Sequence, residues 1–460
     1  MSDRAFAAAA PTRPIPARDH CLAPGRVDAP VEGGRYGRLF PELAPLDCGE
    51  EQLHTLGRTG GLCDGRALAT QVGADDSRVA AGWPFFGQFV AHDITADRSP
   101  LVDRGDPEHV FNFRSPRVNL EAVYGGGPTG SPYLFDREDP AKLLVTEHPD
   151  GGGDVPRNAQ GIALLGDPRN DVHLFVNQLH VAFLRLHNRL VDRLREDGVP
   201  EGDLFEEARR AAMWHYQWIV LHDFLPRLVG EELADEVLRD GPRYFDTSDG
   251  VFIPLEFADA AYRYGHSQVR HSYQVNDRLG PAPLFPDLMG FGAVGPDETV
   301  DWSLFFEIDG QQPQRAKRLD GRLPQSLIDL PYQISGEAPG TDYASLAVRD
   351  LQRGQAMAIP SGESVASHLG VRVLSEDEVG LRELGWEAET PLWLYVLREA
   401  DVIGEGDRLG PVGGRIVGEV LVGLIDADPE SMRSVDRSWT PTLPARRSGE
   451  FGLADVLEPV

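Results

Sequence analysis

Apolar side chains recur at intervals of three and four residues along several stretches of this chain, the pattern of amphipathic helices. The stretch 203–230 has this spacing and stops at a glycine, and 391–403 and 415–428 are two further predicted helices. The stretch 173–197 is another, and the apolar residues sharing one face of it are Phe175, Leu179, Phe183, Leu186 and Leu190. The hydrophobic pattern therefore predicts a mainly helical protein.

Few segments alternate with period two, so strands are expected to be short and minor. Long loops rich in Gly, Pro and Asp separate the helices at 97–160, 273–300 and 308–345. Loops of this length within one domain are usually functional or wrapped over the core. The predicted fold is mainly α, a large helical domain with long loops and minor short strands.

The N-terminal part of the chain differs from the rest. Residues 1–75 are rich in Pro, Gly, Ala and Arg and show no clear periodicity. We predict an irregular N-terminal arm over 1–75, with roughly its first 25 residues disordered. A single large domain is predicted over 76–460.

Charge and cysteine content exclude several classes of partner. With 73 acidic against 44 basic residues the formal net charge is -29, so nucleic acid and anionic membrane surfaces are poor partners. No apolar run reaches the ~18 residues of a membrane span, and the N-terminus is too weakly apolar for a signal peptide. The three cysteines, Cys21, Cys48 and Cys63, give no disulfide framework. These features favour a cytoplasmic compartment, with secretion as the alternative.

The stretch WPFFGQFVAHDIT (83–95) carries three polar side chains on an apolar segment. On a helix Gln88 and His92 share a face, while Asp93 is turned about 100° away. Gln88 and His92 are therefore expected to line one cavity, and Asp93 to serve a different site. The alternative is that His92 is a core histidine with satisfied hydrogen bonds.

Two further stretches hold candidate residues. Arg169 lies just before a long helix in GDPRNDVHLF (166–175), where a buried guanidinium must be paired or directed at a ligand. A salt bridge is the simpler reading for Arg169. In AYRYGHSQVRHSY (261–273), Gly265 beside His266 would let a flat group approach closely, unless His266 is structural.

Asp350 lies in an apolar part of the stretch 345–370, in which a helix is predicted to end near Met357. A buried carboxylate is costly without a partner, and a histidine N–H is a natural one. The alternative is a solvated acid paired with Arg349 or Arg353.

Taken together and in this order, these motifs resemble the animal-type haem peroxidases of the peroxidase–cyclooxygenase superfamily, in its bacterial branch. The similarity rests on QFVAHD (88–93), on Arg169 eighteen residues before HNRL (187–190), and on RYGH (263–266). It covers roughly residues 80–430. It implies a mainly α haem peroxidase domain.

The resemblance implies that His266 is the axial ligand of the haem iron. Arg263 belongs to the same motif and is expected to contribute to cofactor binding. Asp350 stands where the family usually has an asparagine bonded to the ligand's other nitrogen. A carboxylate there should make His266 more imidazolate-like and lower the reduction potential.

On the opposite side, the resemblance implies that His92 is the acid–base that moves the proton of hydrogen peroxide. Arg169 would stabilise charge on the leaving oxygen, and Gln88 would hold a water. The implied function is a haem peroxidase that reduces hydrogen peroxide and oxidises a small organic donor through a ferryl intermediate.

In the family, the aspartate that corresponds to Asp93 binds calcium together with a loop, and the stretch SPRVNLEAVYG (115–125) of this chain is similar to that loop. By position, the other oxygen ligands of Ca²⁺ are expected from Ser115, the Arg117 carbonyl, Asn119 and Glu121. The family more often has aspartate and serine at the last two places. The alternative is that Glu121 is a solvated surface acid.

Departures from the family narrow the expected function. Mammalian members attach haem through two ester bonds to carboxylate side chains. In this chain the corresponding positions hold Ala91 and Val172, which have no carboxylate. Haem b is therefore expected to bind non-covalently, and chloride oxidation is not expected. Arg263 stands where the cyclooxygenase branch has its radical-forming tyrosine. The alternatives are a fatty-acid or specialised-metabolite dioxygenase of the same superfamily and a non-enzymatic haem-binding redox sensor.

Overall fold

Helices dominate the computed structural model, which describes residues 34–65, 75–96, 110, 112–149 and 151–459. Within these ranges nine helices have eight or more residues: α1 Glu50–Gly57, α2 Trp83–Ile94, α3 Leu174–Glu196, α4 Leu204–Ile219, α5 Glu231–Asp240, α6 Leu346–Ala356, α7 Gly362–Leu369, α8 Leu392–Val402 and α9 Pro411–Ala427. The four helices predicted from the longest periodic stretches are all present. None of the described helices combines the length and apolarity required to cross a membrane.

The loops between the longer helices contain short helical segments. The α-helical ones are Glu121–Tyr124, Gly127–Gly130, Leu225–Val229, Leu255–Ala258, Gly265–Gln268, Gln325–Ile328, Tyr332–Ser335, Glu376–Val379, Met432–Val435 and Leu453–Leu457. The 3₁₀ turns are Pro132–Leu134, Pro168–Asp171, Ala261–Tyr264, Pro296–Glu298, Trp302–Leu304, Asp342–Ala344 and Arg382–Leu384. A π-helical turn, Val220–Phe224, joins α4 to Leu225–Val229. The predicted helix over 203–230 is therefore continuous, with one wide turn near its end.

Strands are short and paired in twos, as the sequence predicted. Strand β1 (Tyr36–Gly37) runs parallel to β5 (Ile253–Pro254). The antiparallel pairs are β2 (Asp76–Ala80) with β8 (Arg315–Lys317), β3 (Thr146–Glu147) with β4 (Gly153–Asp154), and β6 (Ser272–Tyr273) with β7 (Ala282–Pro283). These pairs fasten loops to the body and build no larger sheet within the described chain.

Helix α2 is held in the core by stacked aromatic rings. Phe85 stacks on Phe175 with ring centroids 4.6 Å apart, and Phe89 stacks on Phe183 at 4.8 Å. All four side chains are fully buried. Offset stacking adds about 0.5–1.5 kcal/mol per pair to the gain from burial. The aromatic face of α2 is thus fixed against α3, which sets the direction of its polar residues.

Gly87 permits a close approach between α2 and the segment that carries His266. A Cβ atom there would lie 3.0 Å from the Tyr264 hydroxyl and 3.3 Å from the ring of Phe224. A larger side chain at position 87 would therefore push α2 away from that segment. The spacing between the two histidine-bearing elements depends on this glycine.

The described part of the N-terminal arm is more regular than predicted. Helix α1 buries Leu53 and Leu56 against α6, and β1 pairs with β5. Its two buried leucines provide too short a pattern for the periodicity to show. Residues 1–33 and 66–74, with the predicted disorder and Cys21, lie outside the described residues. The domain boundary at residue 76 stays a prediction.

Candidate active site

A cavity of about 270 Å³ lies between α2 and the segment that leads into Gly265–Gln268. This volume is just below the roughly 300–1,000 Å³ typical of small-molecule sites. Its wall includes five of the residues selected from the sequence, namely Gln88, His92, Arg169, Arg263 and His266. Three segments far apart in the chain therefore meet at one site.

His266 has a carboxylate behind its ring. Its Nδ1 lies 2.6 Å from Oδ2 of Asp350, whose side chain is buried on α6. Because an ionised carboxylate only accepts hydrogen bonds, Nδ1 carries the proton and Nε2 keeps its lone pair. A histidine held in this way is the usual form of a metal ligand.

The alternative partners of Asp350 are engaged elsewhere. Arg349 donates to the carbonyls of Tyr343 and Ser335. Arg353 donates to Asp259, at 3.2 Å. The hydrogen bond between Asp350 and His266 that the sequence suggested is therefore present in the structure.

Arg263 connects the same carboxylates to the cavity. Its Nη2 donates to Oδ1 of Asp259 at 2.9 Å, and its Nη1 lies 3.4 Å from Oδ1 of Asp350. Among the residues that the structure describes, neither its buried Nε nor the buried hydroxyl of Tyr262 has a hydrogen-bond partner, and both residues line the cavity. Buried polar atoms that the chain leaves unsatisfied are suited to a bound polar group.

His92 has a neutral amide behind its ring. Its Nδ1 donates to Oδ1 of Asn170 at 2.7 Å, and Nδ2 of Asn170 donates to Nδ1 of His180 at 3.0 Å. This chain of bonds leaves Nε2 of His92 as an acceptor. Burial, followed by the charge of Arg169, lowers the pKa of His92 to about 3. His92 is therefore a neutral base at ordinary pH.

A short 3₁₀ turn positions Arg169 and Asn170 together. The turn begins after Asp167, whose side chain accepts a hydrogen bond from the backbone N–H of Arg169. The Pro168 ring fixes the first residue of the turn, a position where its missing N–H costs nothing. The local sequence Asp-Pro-Arg-Asn thus presents two consecutive side chains to the neighbourhood of His92.

Arg169 is held on one edge and open on the other. Its Nε and Nη2 donate to the two oxygens of Asp167 at 3.0 and 2.9 Å. Nη2 also donates to the carbonyl oxygens of His92 and Thr95. Nη1 has no partner among the described residues, and the side chain is 38% exposed at the cavity wall. Arg169 is both a salt-bridge partner and a donor available to a ligand.

Asp167 is shared between two guanidinium groups. Besides Arg169, it accepts from Arg114, whose Nε and Nη2 lie 3.0 and 2.5 Å from Oδ2. Burial by itself raises the pKa of Asp167, but the charges of Arg169 and Arg114 bring it well below its usual range. The carboxylate therefore stays ionised and keeps Arg169 in place.

The hydrogen-bond partner of Gln88 is His173, at the start of α3. Its Oε1 accepts a hydrogen bond from Nε2 of His173 at 2.8 Å. His173 also lines the cavity. Sequence reasoning missed His173, Asn170 and Asp167, although all three lie in the stretch from which Arg169 was selected.

Asp93 points away from the cavity, as the helical phase predicted. Its Oδ2 accepts from the backbone N–H groups of Asn119 and Leu120 at 3.0 and 2.9 Å, and its Oδ1 accepts from that of Ala122 at 3.0 Å. Burial raises the pKa of Asp93 to about 7, with the backbone hydrogen bonds opposing that rise. Asp93 thus ties α2 to the loop that follows residue 115.

The predicted calcium ligands have other partners in this arrangement. Glu121 accepts from Nη1 of Arg114 at 2.9 Å and from the hydroxyl of Ser115 at 2.8 Å. Oδ1 of Asn119 accepts from the backbone N–H of Glu121. In the part of the chain that the structure describes, no three His, Cys, Asp or Glu side chains converge as a metal site. The oxygens of Asp93 and Glu121 thus accept hydrogen bonds from the protein in this structure, and calcium binding at this loop stays a prediction.

The cavity does fit a haem. Gly265 lines it, and the nearest protein atom to a Cβ built there is the Pro84 carbonyl oxygen at 4.0 Å, so the space beside His266 belongs to the cavity. The cavity also has apolar lining residues, namely Phe285, Leu284, Leu327, Leu330, Ile334 and Leu346. An apolar lining together with an imidazole whose Nε2 keeps its lone pair is the environment that a haem ligated by one histidine requires.

A model of the animal haem peroxidase family matches residues 103–376. This range is more than half of the chain, and the protein belongs to that family. The match contains Arg169, His266 and Asp350, while Gln88 and His92 lie before it. The family implies haem as the cofactor.

Curated relatives agree with the family. The chain is 28% identical over 312 residues to a chorion peroxidase of Aedes aegypti, covering 64% of this chain and 37% of the relative. It is 26% identical over 290 residues to heme peroxidase 2 of Caenorhabditis elegans, covering 57% and 39%. The chain thus spans about two fifths of the length of these relatives.

Solved structures share the fold. Peroxidase A of Dictyostelium discoideum superposes with a TM-score of 0.68 at 17% identity, covering 93% of each chain. A fatty acid alpha-dioxygenase of Arabidopsis thaliana gives a TM-score of 0.59 at 15% identity, covering 86% of this chain and 73% of the other. The mainly α peroxidase fold predicted from the sequence is confirmed.

Proposed function

We propose that this protein is a haem-dependent peroxidase that reduces hydrogen peroxide and oxidises a small organic donor. The observation that supports this most directly is the pair of histidines on one cavity wall. His266 has its Nδ1 bonded to a carboxylate, and His92 has its Nδ1 bonded to an amide. One imidazole is suited to ligation and the other to proton transfer.

His266 would hold the haem, and the binding is proposed to be non-covalent. Ala91 and Val172 line the cavity at the two positions where mammalian members of the family have ester-forming carboxylates. Neither side chain has an oxygen with which to form an ester, so the cofactor is proposed to be unmodified haem b. When bound, it supplies two-electron reduction of peroxide and one-electron oxidation of the donor.

His92 would move the proton of hydrogen peroxide. Its neutral Nε2 accepts the proton from one peroxide oxygen and returns it to the other, which departs as water. Asn170 keeps the ring in the tautomer that this transfer requires. The low pKa of His92 keeps its base form available over the whole neutral range.

Arg169 would assist the departure of that oxygen. Its free Nη1 can donate to the oxygen on which charge develops, while Asp167 and the two backbone carbonyls hold its other edge. Since the guanidinium is already oriented, no reorganisation is required during the reaction. Gln88, next to His92 on the same helix face, would add an amide group at the cavity wall.

A second candidate function is oxygenation of a fatty acid. It is favoured by the fold shared with fatty acid alpha-dioxygenases and by the apolar side of the cavity. Arg263 counts against it, because the dioxygenase branch is expected to have a tyrosine at that position. Oxygen consumption by the haem-loaded protein with palmitate and without peroxide tests this function.

The central experiment is an absorption spectrum of the haem-loaded protein before and after peroxide, followed by oxidation of an aromatic donor such as guaiacol. A peroxidase shows a transient spectral change with peroxide and repeated turnover with the donor. A haem-binding sensor shows a stable spectrum and no turnover. Failure to bind haem at all would refute the proposal. Metal analysis of the same preparation tests the calcium prediction.

A further inference from the structure

The amide of Gln88 has two possible orientations, and they would give the cavity opposite chemistry. With Oε1 toward the cavity, Gln88 accepts a hydrogen bond from a ligand; with Nε2 toward the cavity, it donates one. The residue that decides between them is His173, which is 3% exposed and lies at the N-terminus of α3.

The tautomer of His173 is fixed by the helix that it caps. Its Nδ1 accepts the backbone N–H of Val176 at 3.3 Å, so Nδ1 carries no proton. A neutral imidazole has one N–H, and for His173 this N–H is on Nε2. Burial lowers the pKa of His173 to about 3, so the ring does not gain a second proton at ordinary pH.

The ring is also fixed in position by its aromatic neighbours. Its centroid lies 5.1 Å from that of Phe85 and 6.3 Å from that of Phe285, both in edge contact. The N–H on Nε2 therefore points at Gln88 and meets Oε1 at 2.8 Å. The opposite amide orientation would leave two N–H groups facing each other or remove the cap on Val176.

We propose that His173 is a positioning residue, which orients Gln88 so that the amide N–H₂ is the group offered to a ligand in the cavity. Nε2 of Gln88 has no hydrogen-bond partner among the described residues, and Gln88 lines the cavity. Together with Nη1 of Arg169 it makes a pair of donors. The pair suits a small ligand with lone pairs, such as peroxide or a compact anion.

The test uses fluoride, a compact hydrogen-bond acceptor whose binding to ferric haem is measured from the absorption spectrum. Because it requires bound haem, this proposal rests on the proposed function. His173→Ser keeps a helix-capping oxygen but is too short to reach Gln88. Gln88→Leu removes the amide. Each variant is expected to weaken fluoride about tenfold, the value of roughly one hydrogen bond. The double variant is expected to be no weaker than either single one.

His173→Gln, which restores an N–H donor of similar reach, is the rescue control and should recover most of the affinity. Independent losses that multiply to about a hundredfold in the double variant would show that His173 acts only as a cap. Wild-type affinity in His173→Ser would also overturn the proposal. If His173→Ser does not load haem, His173→Asn replaces it as the cap-preserving variant in the same cycle.

The two levels of the proposal fail in different ways. A wild-type protein that shows no haem spectrum refutes the proposed function. A wild-type protein that binds haem but does not respond to fluoride refutes the proposed pair of donors. A wild-type protein that binds both, with variants that behave additively, refutes only the role of His173.

Discussion

The two histidines of the cavity differ mainly in what stands behind them. His266 donates its Nδ1–H to the buried carboxylate of Asp350, at 2.6 Å. His92 donates its Nδ1–H to the neutral amide of Asn170, at 2.7 Å. The distances are nearly equal, so the difference is one of charge.

That difference supports the two different tasks proposed for the rings. An anion behind an imidazole increases the electron density on its far nitrogen, which strengthens a bond to a metal. An amide holds the tautomer without adding charge, and burial then keeps the ring neutral. The proposed ligand and the proposed base are thus the same type of side chain in two different settings. The predictions below test this contrast.

The largest effect is expected from His266→Ala. Loss of the ligand should abolish the absorption band of bound haem, because only non-covalent contacts with the cavity wall would remain. The measurement is a haem titration followed in the visible spectrum. His271→Ala, five positions later and outside the cavity, is the control and should load haem normally. Unaltered haem binding by His266→Ala would show that another residue is the ligand.

His92→Ala should leave haem binding intact and slow the reaction with peroxide by about two to four orders of magnitude, the usual contribution of a positioned acid–base. Rapid mixing of the ferric protein with peroxide measures the rate. The exposed His222→Ala is the matched control. A rate within a factor of ten of wild type would assign proton transfer elsewhere.

Asp350→Asn makes the two sides of the cavity alike. Haem affinity should fall about 10–100-fold, as with other partners of metal-bound histidines, and the reduction potential should rise. Asp259→Asn, which also removes a carboxylate from Arg263 but does not touch His266, is the control. Equal effects of the two substitutions would assign the role to Arg263 instead.

Asn170→Asp places a carboxylate behind His92, so that both histidines have an anionic partner. A carboxylate behind His92 favours the charged ring and should raise its pKa by about 1–3 units. A protonated ring is not a base, so the rate with peroxide is lost as pH falls through the raised pKa. In wild type the pKa of His92 is about 3, so the rate should hold down to about pH 4. Stopped-flow rates between pH 4 and 8 test the shift.

Sequence reasoning found the residues that carry their own motif. Gln88 and His92 share a helix face, and Arg263 and His266 belong to one short motif. The burial of Asp350 could be predicted from its apolar neighbours in the sequence. Helix periodicity predicted the long helices for the same reason, since each pattern is local. These features need no knowledge of distant contacts.

The residues that sequence reasoning missed act over long distances in the chain. Asn170 is 78 positions from His92, and His173 is 85 positions from Gln88. An asparagine after an arginine and a histidine before a helix have many ordinary explanations, so only the packing of α2 on α3 reveals their partners. The calcium prediction rests on sequence position alone and stays a prediction. In this structure three backbone N–H groups of the loop donate to Asp93.

Through Asp167, the position of Arg169 depends on Arg114, a residue that does not contact the cavity. Arg114 is buried, contacts the loop at Glu121, and shares Asp167 with Arg169. Replacing Arg114 with an uncharged residue would remove two of the three side-chain donors to Oδ2 of that carboxylate, so Asp167 would hold Arg169 less firmly. The tolerance of position 114 to mutation is therefore set by the chemistry of the cavity, although the side chain lies outside its wall.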